Sequence, residues 1–213
     1  MLFSDFLIRN FRQKINMCPM KIIYVILLFI FVPVTAFAHE KGIYESFKSG
    51  ISHPVLGLDH LLAMVSVGVI SHQMGGRAIW TVPITFIVVM AIGGVLGMID
   101  IGLFSIELGI ALSVVVLGLA IAANAKIYYS LIYVFVGMFA IFHGYAHGIE
   151  IPQLATSWSY VIGFMIGTTF LHILGVYLGR SSEKIQFGQI YLRYAGAISA
   201  GMGLHIILEM AGF

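Results

Sequence analysis

Beyond residue 52 the chain is a succession of apolar runs interrupted only by short polar connections. The runs fall at 54–73, 79–99, 104–123, 127–147, 155–178 and 189–210. A helix of about 20 apolar residues is long enough to cross the hydrocarbon core of a bilayer. Strands with open edges could not cross it, because their unpaired backbone groups would go unsatisfied in lipid. The pattern predicts an all-α polytopic membrane protein, a six-helix transmembrane bundle spanning residues 39–213. No long soluble domain, low-complexity tract or clear internal repeat breaks it.

The first apolar stretch differs from the rest. Arg9, Arg12, Lys14 and Lys21 precede a run of only eleven residues, 22–32, followed by Pro33 and then Ala36-Phe37-Ala38. A basic start, a short apolar middle and a small-residue end describe a secretory signal peptide over residues 1–38, with His39 as the mature N-terminus outside the cytoplasm. The alternative is an uncleaved anchor helix, for which the run is short.

Composition agrees with a bilayer environment. Of 213 residues 60% are hydrophobic and 9% charged, whereas soluble domains carry about 25% charged residues. With the mature N-terminus outside, the connections after the first, third and fifth spans are cytoplasmic. They carry Arg77, Lys126, Arg180 and Lys184, and Arg193 lies just inside the sixth span. The connections after spans two and four, and the C-terminal end, carry no Lys or Arg, which matches the positive-inside rule. Both termini of the mature chain are therefore expected outside a bacterial cytoplasmic membrane. Basic residues do not cluster with aromatics, which argues against a nucleic-acid partner. The single cysteine, Cys18, permits no intrachain disulfide. The phosphate-binding string Gly-x4-Gly-Lys-Ser/Thr is absent, so ATP is not used through such a loop.

This orientation brings the polar exceptions to one leaflet. His53, Asp59 and His60 lie in the outer half of the first span, and His143, His147 and Glu150 at the outer end of the fourth. Glu107 opens the third span, and His205 and Glu209 close the sixth. His72 and His172 fall near the cytoplasmic ends instead. His143 and His147 stand at i and i+4 with Glu150 three further on, so all three share a helix face. His53 and His60, seven apart, also share a face, although Pro54 suits a first helical turn and leaves His53 just before the helix. Asp59 points about 100° away from His60 and is expected to serve a neighbouring helix, as a ligand or as acceptor of a ligating histidine's second N–H. The four carboxyls have no outer Lys or Arg to neutralise them, so a divalent cation or protons must do so, or water must hydrate them. Ionisable groups concentrated in a bilayer mark an ion path or a functional site by default. Imidazole and carboxylate without thiolate suit nickel, cobalt or zinc. Met64, one turn after His60, is a weaker candidate, as are His39, Glu107, His205 and Glu209. Gly144 and Gly148 form a G-x-x-x-G step whose expected role is close helix packing.

The strings His53-Pro-x-x-Gly57-x-Asp59-His60-x-x-x-Met64 and Phe142-His143-Gly144-x-Ala146-His147-Gly148-x-Glu150 resemble the two signatures of the HupE/UreJ family. That resemblance covers the whole mature chain. It implies a nickel or cobalt permease linked to hydrogenase or urease maturation, with His53, Asp59, His60, His143, His147 and Glu150 serving metal recognition or passage. The expected function is secondary uptake of divalent nickel or cobalt, not enzymatic, with the metal as cargo and no permanently bound cofactor. The rival is an intramembrane zinc hydrolase in which three histidines hold the ion and Asp59 or Glu150 acts as general base. Histidine donors must be neutral to bind, and an ordinary imidazole titrates near about 6.5, so metal capture should weaken as pH falls through that value. Equal metal binding at about pH 5 and about pH 7.5 would argue against a histidine-dominated site.

Overall fold

A computed structural model of the chain describes residues 43–124, 127–150 and 157–212. The expected signal peptide, 1–38, and His39 lie outside them, as does Lys126. All regular structure among the described residues is helical. The helices are α1 (Ile43–Leu56), α2 (Leu58–Met74), α3 (Ala78–Met98), α4 (Ile106–Ala123), α5 (Tyr129–Glu150), α6 (Ser157–Ser182) and α7 (Gly188–Met210). Four, within α3 to α6, are long and apolar enough to cross a membrane, and five if the bent pair α1 and α2 counts as one span. Where the sequence pattern predicts six spans, α7 has the length at 23 residues but carries Arg193, His205 and Glu209 among its apolar positions.

The first expected span, 54–73, is not one continuous helix. A break at Gly57 separates α1 from α2 with a bend of 79°. Pro54 lies inside α1, two residues before its end, and does not open α2. The polar stretch 43–52 is helical because every fourth residue is small and buried: Ser46, Gly50 and Pro54 line the face turned inward. That face meets α6, where the Ser159 hydroxyl donates to the Ile43 carbonyl at 3.1 Å.

Helices pair through positions that lack side chains. A methyl group on Gly68 of α2 would stand 2.9 Å from the Gly175 Cα of α6. On Gly97 of α3 it would stand 3.0 Å from the Gly148 Cα of α5, and on Gly118 of α4 it would stand 2.6 Å from the Ala200 backbone nitrogen of α7. These spacings are shorter than side chains permit, so small residues set how near the backbones come. The G-x-x-x-G step at Gly144 and Gly148 therefore has the packing role expected of it, against Met90, Gly94 and Gly97.

The same contacts fix relative direction. α2 runs parallel to α6 and α3 to α5, while Gly203 near Ala111 and Gly196 near Ala122 make α4 and α7 antiparallel. At one end the C-terminal turns of α2 and α4, the end of α6 and the start of α7 meet around a common cleft. There Tyr129 at the start of α5 donates to the Met74 carbonyl, and Arg193 Nε donates to the Ala122 carbonyl at 2.7 Å. Arg77, Arg180 and Lys184 are near this end in sequence. From α2 to α7 successive helices alternate in direction, and apart from Lys48 in α1 the described Lys and Arg residues collect where α2, α4 and α6 finish.

The bundle is apolar on both sides. Along α3, Val82, Phe86 and Met90 are buried, whereas Trp80, Ile84, Val88, Ile92 and Val95 form an exposed stripe. Soluble monomers rarely expose continuous apolar stripes of this kind. A helix hydrophobic on every face belongs in lipid or in a large core, and with four to five such candidate spans this chain is a membrane protein. Gly144→Leu should drive a side chain into the Met90 carbonyl and cost at least about 1–3 kcal/mol of stability. Gly137 has open space where a Cβ would go, so Gly137→Ala should be neutral or stabilise by up to about 1 kcal/mol. Thermal unfolding of the two purified variants in detergent checks the contrast.

Candidate metal-recognition site

The break at Gly57 shapes the polar centre. Gly57 caps α2 in an extended conformation (φ −85°, ψ 116°) and has no side chain to receive the first free N–H groups. Asp59 receives one of them instead, its Oδ1 accepting the His60 backbone N–H at 2.8 Å. A carboxylate at a helix N-terminus is favoured by the unsatisfied N–H groups and by the macrodipole. The same oxygen accepts the His60 Nδ1–H at 2.8 Å. A Cβ at Gly57 would stand 2.9 Å from that oxygen and 3.1 Å from His60 Nδ1, so glycine clears the room for this pair. Asp59 thus serves its own neighbour and not another helix. The helical-wheel expectation fails because the carboxylate turns back on the first turn instead of pointing outward.

Four imidazoles meet here. His53 comes from the last turn of α1, not from the residue before a helix, and His60 from the first turn of α2. His143 and His147 come from successive turns of α5. Ring centroids stand 4.6 Å apart for His53 and His147, 4.7 Å for His60 and His147, 5.0 Å for His60 and His143, and 6.3 Å for His53 and His60. His60, His143 and His147 are buried, while His53 and Asp59 are half-buried, so the group is least enclosed beside α1. Phe164 of α6 stands 4.3 Å from the His147 ring and Tyr160 stands 5.9 Å from that of His53. Phe86 of α3 closes the far side, 5.6 Å from His143.

Two of the rings have a fixed tautomer. A carbonyl can only accept, so the contact of His143 Nδ1 with the Phe139 carbonyl at 2.9 Å puts the proton on Nδ1. The Asp59 carboxylate does the same for His60. Each ring is left with a lone pair on Nε2. Both Nε2 atoms are buried with no hydrogen-bond partner among the described residues. An unsatisfied buried acceptor of this kind costs about 1–3 kcal/mol, and a cation would relieve it. Locking one ring nitrogen with a carboxylate or carbonyl is how proteins orient metal-ligating histidines. With metal–nitrogen bonds near 2.0–2.1 Å, two imidazoles on one ion hold their centroids roughly 5 Å apart, close to three of the spacings here. Three of these ring pairs lie edge to face and His60–His147 is tilted at 55°, and among the described residues no three His, Cys, Asp or Glu side chains stand close enough to hold an ion as they are. Side-chain rotation on fixed helices would have to bring the donors to one centre.

The other expected candidates fall elsewhere. The backbone of Glu150 ends α5, but its side chain lies outside the described residues, as does His39. Met64 is fully buried in the apolar core. Glu107 is exposed at the start of α4. His205 and Glu209 keep their i, i+4 relation at 3.7 Å but are exposed on α7, at 72% and 66%. All three are exposed, in contrast to the buried rings of His60, His143 and His147. His172 also moves. α6 continues to Ser182, so His172 is no longer near a helix end; it is buried, with its ring 5.2 Å from the inner side of Phe86. Phe86, Tyr160 and Phe164 carry no sequence signal, because an aromatic residue within an apolar run is ordinary.

The sequence is similar to known proteins. Residues 27–206 match the family model described as HupE / UreJ protein. Protein HupE of Rhizobium leguminosarum bv. viciae is 42% identical over 178 residues, covering 83% of this chain and 92% of the relative. No solved structure matches. Imidazole 15N chemical shifts should report Nδ1–H tautomers for His60 and His143, and Asp59→Ala should scramble the former while leaving the latter. Equal loss at both rings would show that their tautomers are not set independently.

Proposed function

The chain belongs to the HupE/UreJ family, and on that premise we propose that it is a secondary permease for divalent nickel or cobalt. The observation that carries the reading is the pair of buried, tautomer-fixed histidines, His60 and His143, whose Nε2 lone pairs have no partner among the described residues. Nitrogen donors flanked by a carboxylate suit borderline divalent ions. In this reading His53 and Asp59 meet the ion first, and His60, His143 and His147 replace part of its hydration shell. Glu150, one turn beyond His147 on α5, supplies a further oxygen donor. An ion that must also leave requires incomplete, mixed ligation and not the closed cage of a structural site.

The proposed setting is a bacterial cytoplasmic membrane crossed six times, α1 and α2 together forming the first crossing and α7 the last. The alternating helix directions and the gathering of basic residues at one end support it. The histidine cluster then faces outward, and both mature termini are outside. A membrane potential of about 100 mV, negative inside, favours entry of a dication by about 4.6 kcal/mol, so no nucleotide is needed. The metal delivered would supply hydrogenase or urease maturation. The intramembrane hydrolase is set aside, since the family assignment lends it nothing.

Uptake of radiolabelled nickel and cobalt, in cells lacking their own transporters, tests the proposal. Saturable accumulation of one metal is expected, and His147→Ala and Asp59→Ala at matched membrane expression should each reduce it by about tenfold or more. No accumulation of either metal by the intact protein would overturn it.

A further inference from the structure

A second polar site lies at the other end of α2. His72, in its last turn, is twelve residues from His60, which places it about 18 Å farther along the helix. Its Nε2–H donates to Glu183 Oε1 at 3.0 Å. Glu183 makes this bond although Arg180 and Lys184 are its neighbours in sequence. The His72 side chain is 12% exposed and that of Glu183 60%, so the pair spans from packed protein to open surface. They border a cleft of about 430 Å³ lined, among the described residues, by His72, Gln73, Asn124, Glu183 and Gln189, which bring one carboxylate and no Lys or Arg.

The cleft is built and not incidental. Gly179 makes room for the imidazole: a Cβ there would stand 2.8 Å from His72 Cδ2. Gln189 donates through Nε2 to Ser182 Oγ at 2.7 Å, which leaves its amide oxygen as an acceptor. Gln73 buries an amide nitrogen with no hydrogen-bond partner among the described residues, and turning that amide over presents its oxygen instead. One imidazole, one carboxylate and several amide oxygens beside open water describe a loose, partly hydrated cation site.

We propose that His72 and Glu183 form a second, weaker binding site for a hydrated divalent transition-metal cation, at the end of the bundle opposite the histidine cluster. The proposal rests on the uptake reading for its biological sense, as the station from which the ion leaves. The proton shared between His72 Nε2 and Glu183 Oε1 holds the ligand positions. When the cation binds, the ring changes tautomer through water in the cleft, Nδ1 taking up a proton as Nε2 gives its own away, and the Nε2 lone pair and the carboxylate oxygen then bond the metal. His172, buried with both ring nitrogens lacking partners among the described residues, shares Phe86 as a ring neighbour with His143.

The test uses the purified full chain in lipid nanodiscs and cobalt(II), followed by its visible absorption and by equilibrium dialysis. With the cluster disabled by His143→Ala and His147→Ala, one cobalt per chain should still bind. Adding Glu183→Gln should weaken that binding by about tenfold or more. Glu183 is exposed, so the substitution leaves packing intact, and His72→Phe offers a second route to the same loss. Absence of residual binding in the cluster variant, while the unaltered protein binds cobalt, would overturn the second site. Residual binding indifferent to both Glu183→Gln and His72→Phe would do so too. If Glu183-dependent binding is found but the unaltered protein accumulates no metal in cells, the second site stands and the uptake reading falls.

Discussion

Backbone contact between helices is the condition on which the rest of this molecule depends. In lipid, apolar side chains gain nothing by meeting one another rather than acyl chains, so helices associate only where they fit closely. Gly68 against Gly175, Gly148 against Gly97 and Gly118 against Ala200 provide that fit. The first seam sets α6 along α2, and the second sets α3 along α5. Between them they place Phe86, Phe164, His60 and His143 around one small volume. With bulkier residues at the seams the helices would stand farther apart, and rings now about 5 Å from one another would be separated by lipid or water.

The polar centre is the counterpart of those seams. It gathers side chains that a bilayer disfavours, and it holds them with few hydrogen bonds. Asp59 at a helix start and the Phe139 carbonyl one turn below His143 consume one nitrogen of each ring. The remaining nitrogens are presented inward against aromatic walls that keep water away. Such a site is costly to maintain empty, and that cost is the physical argument on which the proposed uptake function rests.

Much of this is legible in the sequence. The i, i+4 spacing of His143 and His147, and their depth, place them beside His60, and the glycine step of α5 marks a packing face. The illegible parts have specific causes. Pro54 looks like a helix start because proline fits a first turn, yet it lies in the last turn of α1, where its missing N–H deprives the Gly50 carbonyl of its i+4 donor just before the break at Gly57. The role of Asp59 is hidden because a wheel projection assumes side chains point radially, which fails in a first turn with free N–H groups. His205 and Glu209 have the right spacing and end of the bundle, but which face of α7 turns inward depends on the Gly118–Gly196 seam, a relation between distant residues. The two faces of α3 are both apolar, so periodicity does not say which one carries Phe86 inward.

The two fixed tautomers have an origin that bears on how such a protein is made and altered. His60 receives its orientation from the residue immediately before it, and His143 from a carbonyl of its own helix. Neither needs a partner helix to choose which nitrogen keeps the proton. Each ring can enter the bilayer with its chemistry already decided, and assembly contributes only proximity. Interhelical packing can therefore drift, or be redesigned to tune the spacing between rings, without disturbing which nitrogen of each ring keeps its lone pair.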